Sequence, residues 1–333
     1  MATYLNSLQS GMHDTFAADP SVYLIGEDLL DPYGGAFKVS KGLSSSFPGR
    51  VLSTPISEAG FTGIAIGMAL RGLKPIVEIM FGDFLTLCTD QIVNHIAKFR
   101  GMYGKEIHIP IVIRTPMGGG RGYGATHSQS LEKLFLGIPD IQVVAPSHAH
   151  DPGRLLRYSV LDNPAPVLFI ENKMLYPLAL VAEEADLGLE SIDEIVGYPT
   201  TIIKNYSGGS PDITLLAYGG MSRHILPLLK TLRDDEIRVL AVLPSSLKPV
   251  PINTLTAMAE QSRRVIIAEE GTGGFNWGSE IAAMIYERLF GKLLAPIQRV
   301  CSAEAVIPAA QRLEDEVLIN AGKIEQAVMR VLS

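Results

Sequence analysis

Apolar runs recur along the first half of the chain at lengths that predict strands: residues 21–28 (SVYLIGED), 74–81 (KPIVEIMF), 109–116 (IPIVIRTP), 141–146 (IQVVAP) and 166–171 (PVLFIE). Their apolar residues run together instead of alternating, as in strands buried on both faces. Within 84–103, Leu85, Cys88, Ile92, Ile96 and Phe99 fall three or four apart, which predicts one helix face. The second half repeats the style. Residues 212–220, 237–244, 263–271 and 296–301 read as strands, and 221–232, 251–262 and 277–290 as helices. Between the halves, 183–210 starts acidic and ends rich in turn residues, so it reads as a linker. Strands alternating with helices predict an α/β fold of two units, 1–182 and 211–333, with parallel sheets covered on both faces.

Composition narrows the class. A chain of 333 residues, 47% hydrophobic, can bury sizeable cores. The net charge of −7, with no basic cluster, argues against nucleic acid. The two cysteines, Cys88 and Cys301, stand far apart and form neither a disulfide framework nor a zinc spacing. A reducing cytoplasmic setting is the expectation. No basic start followed by an apolar core marks a signal peptide, and no apolar run is long enough to span a bilayer.

Familiar nucleotide motifs are missing. GGGRGYG (118–124) gives no G-x-G-x-x-G in any register, and no G-x-x-x-x-G-K-[ST] or G-x-S-x-G occurs. His148 and His150 in SHAHD are two candidate metal ligands, although a helix entry after IQVVAP explains them more simply. Three features remain. Glu58 heads TPISEAGFTGIAIGMALRG (54–72), where it reads either as a first-turn glutamate behind an N-cap Ser57 or as a functional carboxylate. Gly60, Gly63 and Gly67 follow it, each costing about 1 kcal/mol relative to Ala inside a helix, so close approach of another backbone or a ligand is expected. His127 follows the glycine-rich loop, a place as suited to catalysis as to structure. Phe84, at a strand-to-helix turn, reads on its own as a core aromatic.

Taken together, these residues resemble a known family. Glu58, Gly63, Ile64, Gly67 and Met68 fit the pattern E-x4-G-Φ-x-x-G-Φ of thiamine-diphosphate enzymes. The order LIGEDL, GGAFKVSKGL, RVLSTPISEAGF, EIMFGDF, DQIVNHIAK, IPIVIRTPMGGG, HSQSLE, VVAPS and LFIENKMLY resembles the beta subunit of two-subunit 2-oxo acid dehydrogenases over nearly all of 1–180. The likeness continues more loosely through EEGTGGFNWGSEIAAMI and APIQRVCSAEAVIPAAQRLE. It implies a transketolase-like pyrimidine-binding domain in 1–182 and a transketolase C-terminal domain in 211–333. It also implies that Glu58 meets a ring nitrogen of the aminopyrimidine, that Phe84 stacks on that ring and that His127 faces the substrate. Gly63 and Gly67 would belong to the cofactor-binding helix and let it pack closely on another subunit.

The same resemblance implies thiamine diphosphate as cofactor and decarboxylation of a 2-oxo acid, pyruvate-type favoured, with acyl transfer to a lipoyl group. The family holds the diphosphate through a divalent metal bound by G-D-G. FGDFL has no second glycine and no other G-D-G occurs, so no metal ligand is assigned here. Magnesium would be held by an alpha subunit. The implied assembly is a heterotetramer with contacts between beta subunits, served by a lipoyl-bearing acyltransferase. Two departures stand out: LAVLPSSLKPV where the family has an Asp-Leu-Arg type segment, and Asp140 where it has Gly. The first leaves open contacts to the acyltransferase. It also keeps open a two-subunit transketolase-like or carboligating enzyme, beside a scaffold subunit without activity.

Overall fold

The computed structural model describes residues 2–103, 107–181 and 187–333. Among the described residues thirteen strands arise in chain order: β1 Val22–Gly26, β2 Val51–Ser53, β3 Lys74–Glu78, β4 Val112–Met117, β5 Gln142–Val144, β6 Val167–Asn172, β7 Gly188–Ile195, β8 Tyr198–Lys204, β9 Ile213–Ala217, β10 Val239–Pro244, β11 Ser246–Lys248, β12 Val265–Thr272 and β13 Gln298–Ser302. They build a seven-stranded sheet, ordered β11-β5-β6-β4-β3-β1-β2, and a six-stranded sheet, ordered β13-β12-β9-β10-β8-β7. The first is parallel except for β11 at its edge. The second is parallel through β13, β12, β9 and β10, then antiparallel through β8 and β7.

Successive strand residues point to opposite faces, and the cores follow that period. In β1, β3 and β4, Ile25, Val77 and Ile113 enter one cluster with the helix Glu58–Leu70, while Leu24, Ile76 and Val112 enter another with the helices Tyr4–Ala18 and Pro152–Leu161. The first of these clusters also takes Leu216, Leu240 and Ile267 from the second sheet, so the two halves share one core. The outer face of the second sheet packs on the helices Ser222–Asp234 and Ala321–Leu332. The α/β reading holds, with helices on both faces of each sheet.

Two expectations need correction. Residues 84–103 do bury Leu85, Cys88, Ile92 and Ile96, but not as one α-helix. A tight 3-10 stretch, Gly82–Cys88, gives way to wide π turns at Gln91–Ile96 and a short helix at Phe99–Met102. Next, part of the expected linker 183–210 is the β7–β8 hairpin, whose strand Tyr198–Lys204 is largely buried because β10 takes it into the second sheet. The boundary at 182/183 itself falls outside the described residues. The departure LAVLPSSLKPV ends β10 and then supplies a further strand. Its β11 crosses over and pairs antiparallel with β5, tying the second half to the edge of the first sheet.

Candidate active site

The carboxyl ends of parallel strands are where α/β sheets place ligands, and the candidate residues gather there. Glu27 follows β1, Glu58 follows β2, Phe81 and Phe84 follow β3, His127 lies on the loop after β4, and Lys173 follows β6.

Glu58 opens the helix Glu58–Leu70, as its first-turn position predicts. Ser57 occupies the N-cap, yet its side chain makes no capping bond. Its hydroxyl instead fills the space a Cβ on Gly60 would need, 2.6 Å away, which accounts for that glycine locally. Glu58 is 5% exposed and, among the described residues, has no hydrogen-bond partner. Its oxygens still reach the surface, where the donor of a ligand could meet them. Glu27 lies close enough to be affected by it: burial, then the charge of Glu58, pushes the Glu27 carboxyl above its ordinary range. One Glu27 oxygen is buried and unpaired. Burial also lifts the Cys88 thiol to about 12, with Glu58 adding to the rise, so this cysteine is an inert wall residue.

The Glu58 helix packs on the turn Gly82–Cys88, which carries Phe84. Phe84 lies edge-on to His127 with ring centroids 5.2 Å apart. Phe81 comes closer, at 4.6 Å, and also meets Phe84 and Tyr123. His127 Nδ1 pairs with Thr126 Oγ1 at 2.9 Å. Lys173 donates to the His127 carbonyl at 2.6 Å with its ammonium 5.2 Å from the Phe81 ring centre. Burial lowers the Lys173 amine to about 8, against the opposing pull of Asp83 and Glu270. Asp83 in turn accepts from Gln129, two residues beyond His127.

The structure thus brings Phe84 and His127 together and sets Glu58 beside their turn. Gly63 and Gly67 are placed differently. Both face outward, and a Cβ on either would meet nothing within 4 Å in this chain. His148 and His150 have local roles: His148 pairs with Ser222 at 2.6 Å, and His150 takes the Ser147 amide at 3.0 Å in a buried turn. Burial lowers His150 to about 4, which keeps it neutral as an acceptor. Sequence reasoning missed Glu27, Phe81 and Lys173. The two charged residues did carry a signal, since each follows an apolar strand run at its carboxyl end.

An α/β pair with a buried carboxylate, an aromatic wall and a loop histidine at the strand ends fits a transketolase-like enzyme subunit. Family models bear this out: "Transketolase, pyrimidine binding domain" matches residues 1–179 and "Transketolase, C-terminal domain" matches 205–324. The chain is 35% identical over 329 residues to pyruvate dehydrogenase E1 component subunit beta-2, mitochondrial, of Oryza sativa subsp. japonica, covering 98% of this chain and 85% of that one. It is 38% identical over 329 residues to pyruvate dehydrogenase E1 component subunit beta of Chaetosphaeridium globosum, covering 97% and 95%. It is 33% identical over 335 residues to acetoin:2,6-dichlorophenolindophenol oxidoreductase subunit beta of Cupriavidus necator, covering 98% and 96%. Among solved structures, a split gene transketolase in an inactive beta4 tetramer shares the fold, with a TM-score of 0.73 at 20% identity over 99% of this chain and 98% of that one. The chain belongs to the family of E1 beta subunits of two-subunit 2-oxo acid dehydrogenases.

Proposed function

We propose that this beta subunit supplies the aminopyrimidine half of a thiamine diphosphate site in a 2-oxo acid dehydrogenase, with pyruvate-type substrates favoured. The observation that carries it is Glu58: a buried carboxylate with no hydrogen-bond partner among the described residues, beside the turn of Phe84. Such a carboxylate fits the donor edge of a nitrogen heterocycle, and the Phe84 ring offers that heterocycle an apolar face. Thiamine diphosphate, when bound, supplies the electron sink that decarboxylation of a 2-oxo acid requires.

The chain's own residues supply the rest. Glu58 would orient the ring and exchange a proton with its nitrogen through a carboxyl oxygen. Phe81 and Phe84 would give His127 an apolar wall. His127, steered by Thr126 at Nδ1 and by Lys173 at its carbonyl, would present Nε2 to the substrate as proton donor or acceptor.

The finer points belong to the same proposal. The sequence has no G-D-G, the motif by which the resembled family binds its metal. Magnesium and the diphosphate are therefore assigned to the alpha subunit, and the acyl group to a lipoyl-bearing acyltransferase. The free Cys88 and Cys301 support a reducing compartment such as the cytoplasm.

Co-expression with an alpha subunit tests the reading. Pyruvate, a branched-chain 2-oxo acid and acetoin are offered with lipoamide, and carbon dioxide, acyl-lipoamide and ketol products are measured. Acyl transfer from a 2-oxo acid is expected. Ketol formation alone would make it a carboligating enzyme, and no turnover in any arm would leave a scaffold.

A further inference from the structure

The glycine-rich segment GGGRGYG matched no nucleotide motif, and neither the cofactor nor the substrate accounts for it. In the structure its backbone is gripped by two buried carboxylates from the second half of the chain. Gly118, Gly120, Gly122 and Gly124 all have positive φ, between 67° and 94°. That alternation turns successive amides to one side, a geometry that gathers N–H groups around an anion. Gly120 N donates to Glu314 Oε1 at 2.8 Å and Gly122 N to Glu314 Oε2 at 2.9 Å. Gly119 N donates to Glu270 Oε1 at 2.6 Å, whose other oxygen takes the Asn172 amide at 2.7 Å.

Glu314 is completely buried in the short helix Gln311–Val317. The loop lies flat on this segment: a Cβ on Gly122 would meet the Ala309 carbonyl at 3.0 Å, and one on Gly119 would meet Leu318 at 2.6 Å. The loop then runs from Gly124 to His127, whose amide donates back to the Gly124 carbonyl at 3.4 Å. Lys173, which holds the His127 carbonyl, lies within the field of both Glu314 and Glu270.

We infer that Glu314, with Glu270, is a positioning residue: the C-terminal domain holds the His127 loop in its working geometry through a carboxylate clamp on the loop's own amides. This rests on the assignment of His127 to the substrate. Glu314 touches neither substrate nor cofactor in this account. Its carboxylate takes the place an anion would otherwise occupy in the nest, and the energy of two charge-assisted bonds goes into loop position. The design links the two halves, so their relative placement sets where His127 stands.

Glu314→Gln and Glu314→Ala, each co-expressed with the alpha subunit, test the clamp. Gln keeps one acceptor and turns a donor toward the other amide; Ala frees both. Amide hydrogen exchange across 118–127 should quicken on the order of 10-fold to 100-fold in Ala and less in Gln. kcat should fall in the same order, on the order of 10-fold or more in Ala, with cofactor affinity within a few-fold of wild type. An unchanged exchange rate overturns the clamp. Faster exchange with unchanged kcat overturns the positioning role. The exchange arm needs no turnover, so a failed function assignment is told apart from a failed clamp. Gln is close in shape to Glu, which keeps the test valid should Ala fail to fold.

Discussion

At the residue scale, everything turns on what Glu58 is for. A first-turn glutamate is stabilised by the helix dipole wherever it stands, worth about 0.3–1 kcal/mol. That gain is small, and the dipole alone does not explain a side chain that is 5% exposed yet makes no hydrogen bond among the described residues. A purely structural role at the helix start is weakened further because Ser57 makes no side-chain cap. Glu58→Gln should keep the fold and lower turnover of the reconstituted enzyme by about 10²–10⁴-fold. Hydrogen–deuterium exchange at the cofactor's thiazolium carbon should slow in parallel, and an unchanged rate would refute the role. His127→Ala should leave thiamine diphosphate affinity within several-fold of wild type while single-turnover chemistry slows strongly. Calorimetric titration beside a single-turnover assay reads both; lost affinity with normal chemistry would reverse the assignment. Glu58, Phe84 and His127 were legible in the sequence through motif order. Phe81 was not, and Lys173 showed only as a charge at a strand end, because only the fold brings the ends of β3 and β6 to one histidine.

At the element scale, the strands were the most readable part, since ITLLA is almost wholly apolar and becomes the buried β9, and the apolar run VIIA opens the buried β12. The region 84–103 was legible as a buried face and misread as one helix. A period of three to four residues serves 3-10, α and π windings alike, so spacing alone does not choose among them. The β7–β8 hairpin was hidden by its composition: GLESIDEI alternates with exposed acids, as an edge strand does. The short β11 carried no periodic signal at three residues. The seam between the halves makes its own prediction. On β12, burial, then the neighbouring Glu132, raises Glu269 from 4.5 to about 8, and Tyr218 bridges the two carboxylates. Folded protein therefore holds a proton there that the unfolded chain releases between those values. Stability from this group is complete below pH 4.5 and is lost as pH rises toward 8. Glu269→Gln can still accept from the Gly278 amide and donate to Tyr218, so it should gain thermal stability relative to wild type as pH climbs from 5 to 8. A difference in melting temperature that stays constant with pH would contradict this.

At the scale of the whole molecule, the proposal is that one chain holds half of the cofactor site. The outward face of the Glu58 helix bears Gly63, Ile64 and Gly67, with Ile64 57% exposed, and Ile56 nearby is 83% exposed. Leu87 on the adjoining turn is 55% exposed. Apolar residues around a glycine notch, at the edge of a cofactor site, favour a covering subunit. This supports an alpha-two, beta-two assembly with the cofactor at each alpha–beta junction and beta–beta contacts beside it. The most direct test is calorimetric titration of thiamine diphosphate with magnesium into the isolated chain and into the co-expressed alpha–beta pair, with each species sized by light scattering. The account predicts no measurable saturation of the isolated chain, and tight, magnesium-dependent binding at one site per alpha–beta pair. Micromolar, magnesium-dependent binding by the isolated chain would mean that it contains a complete site, and the shared-cofactor account would be wrong.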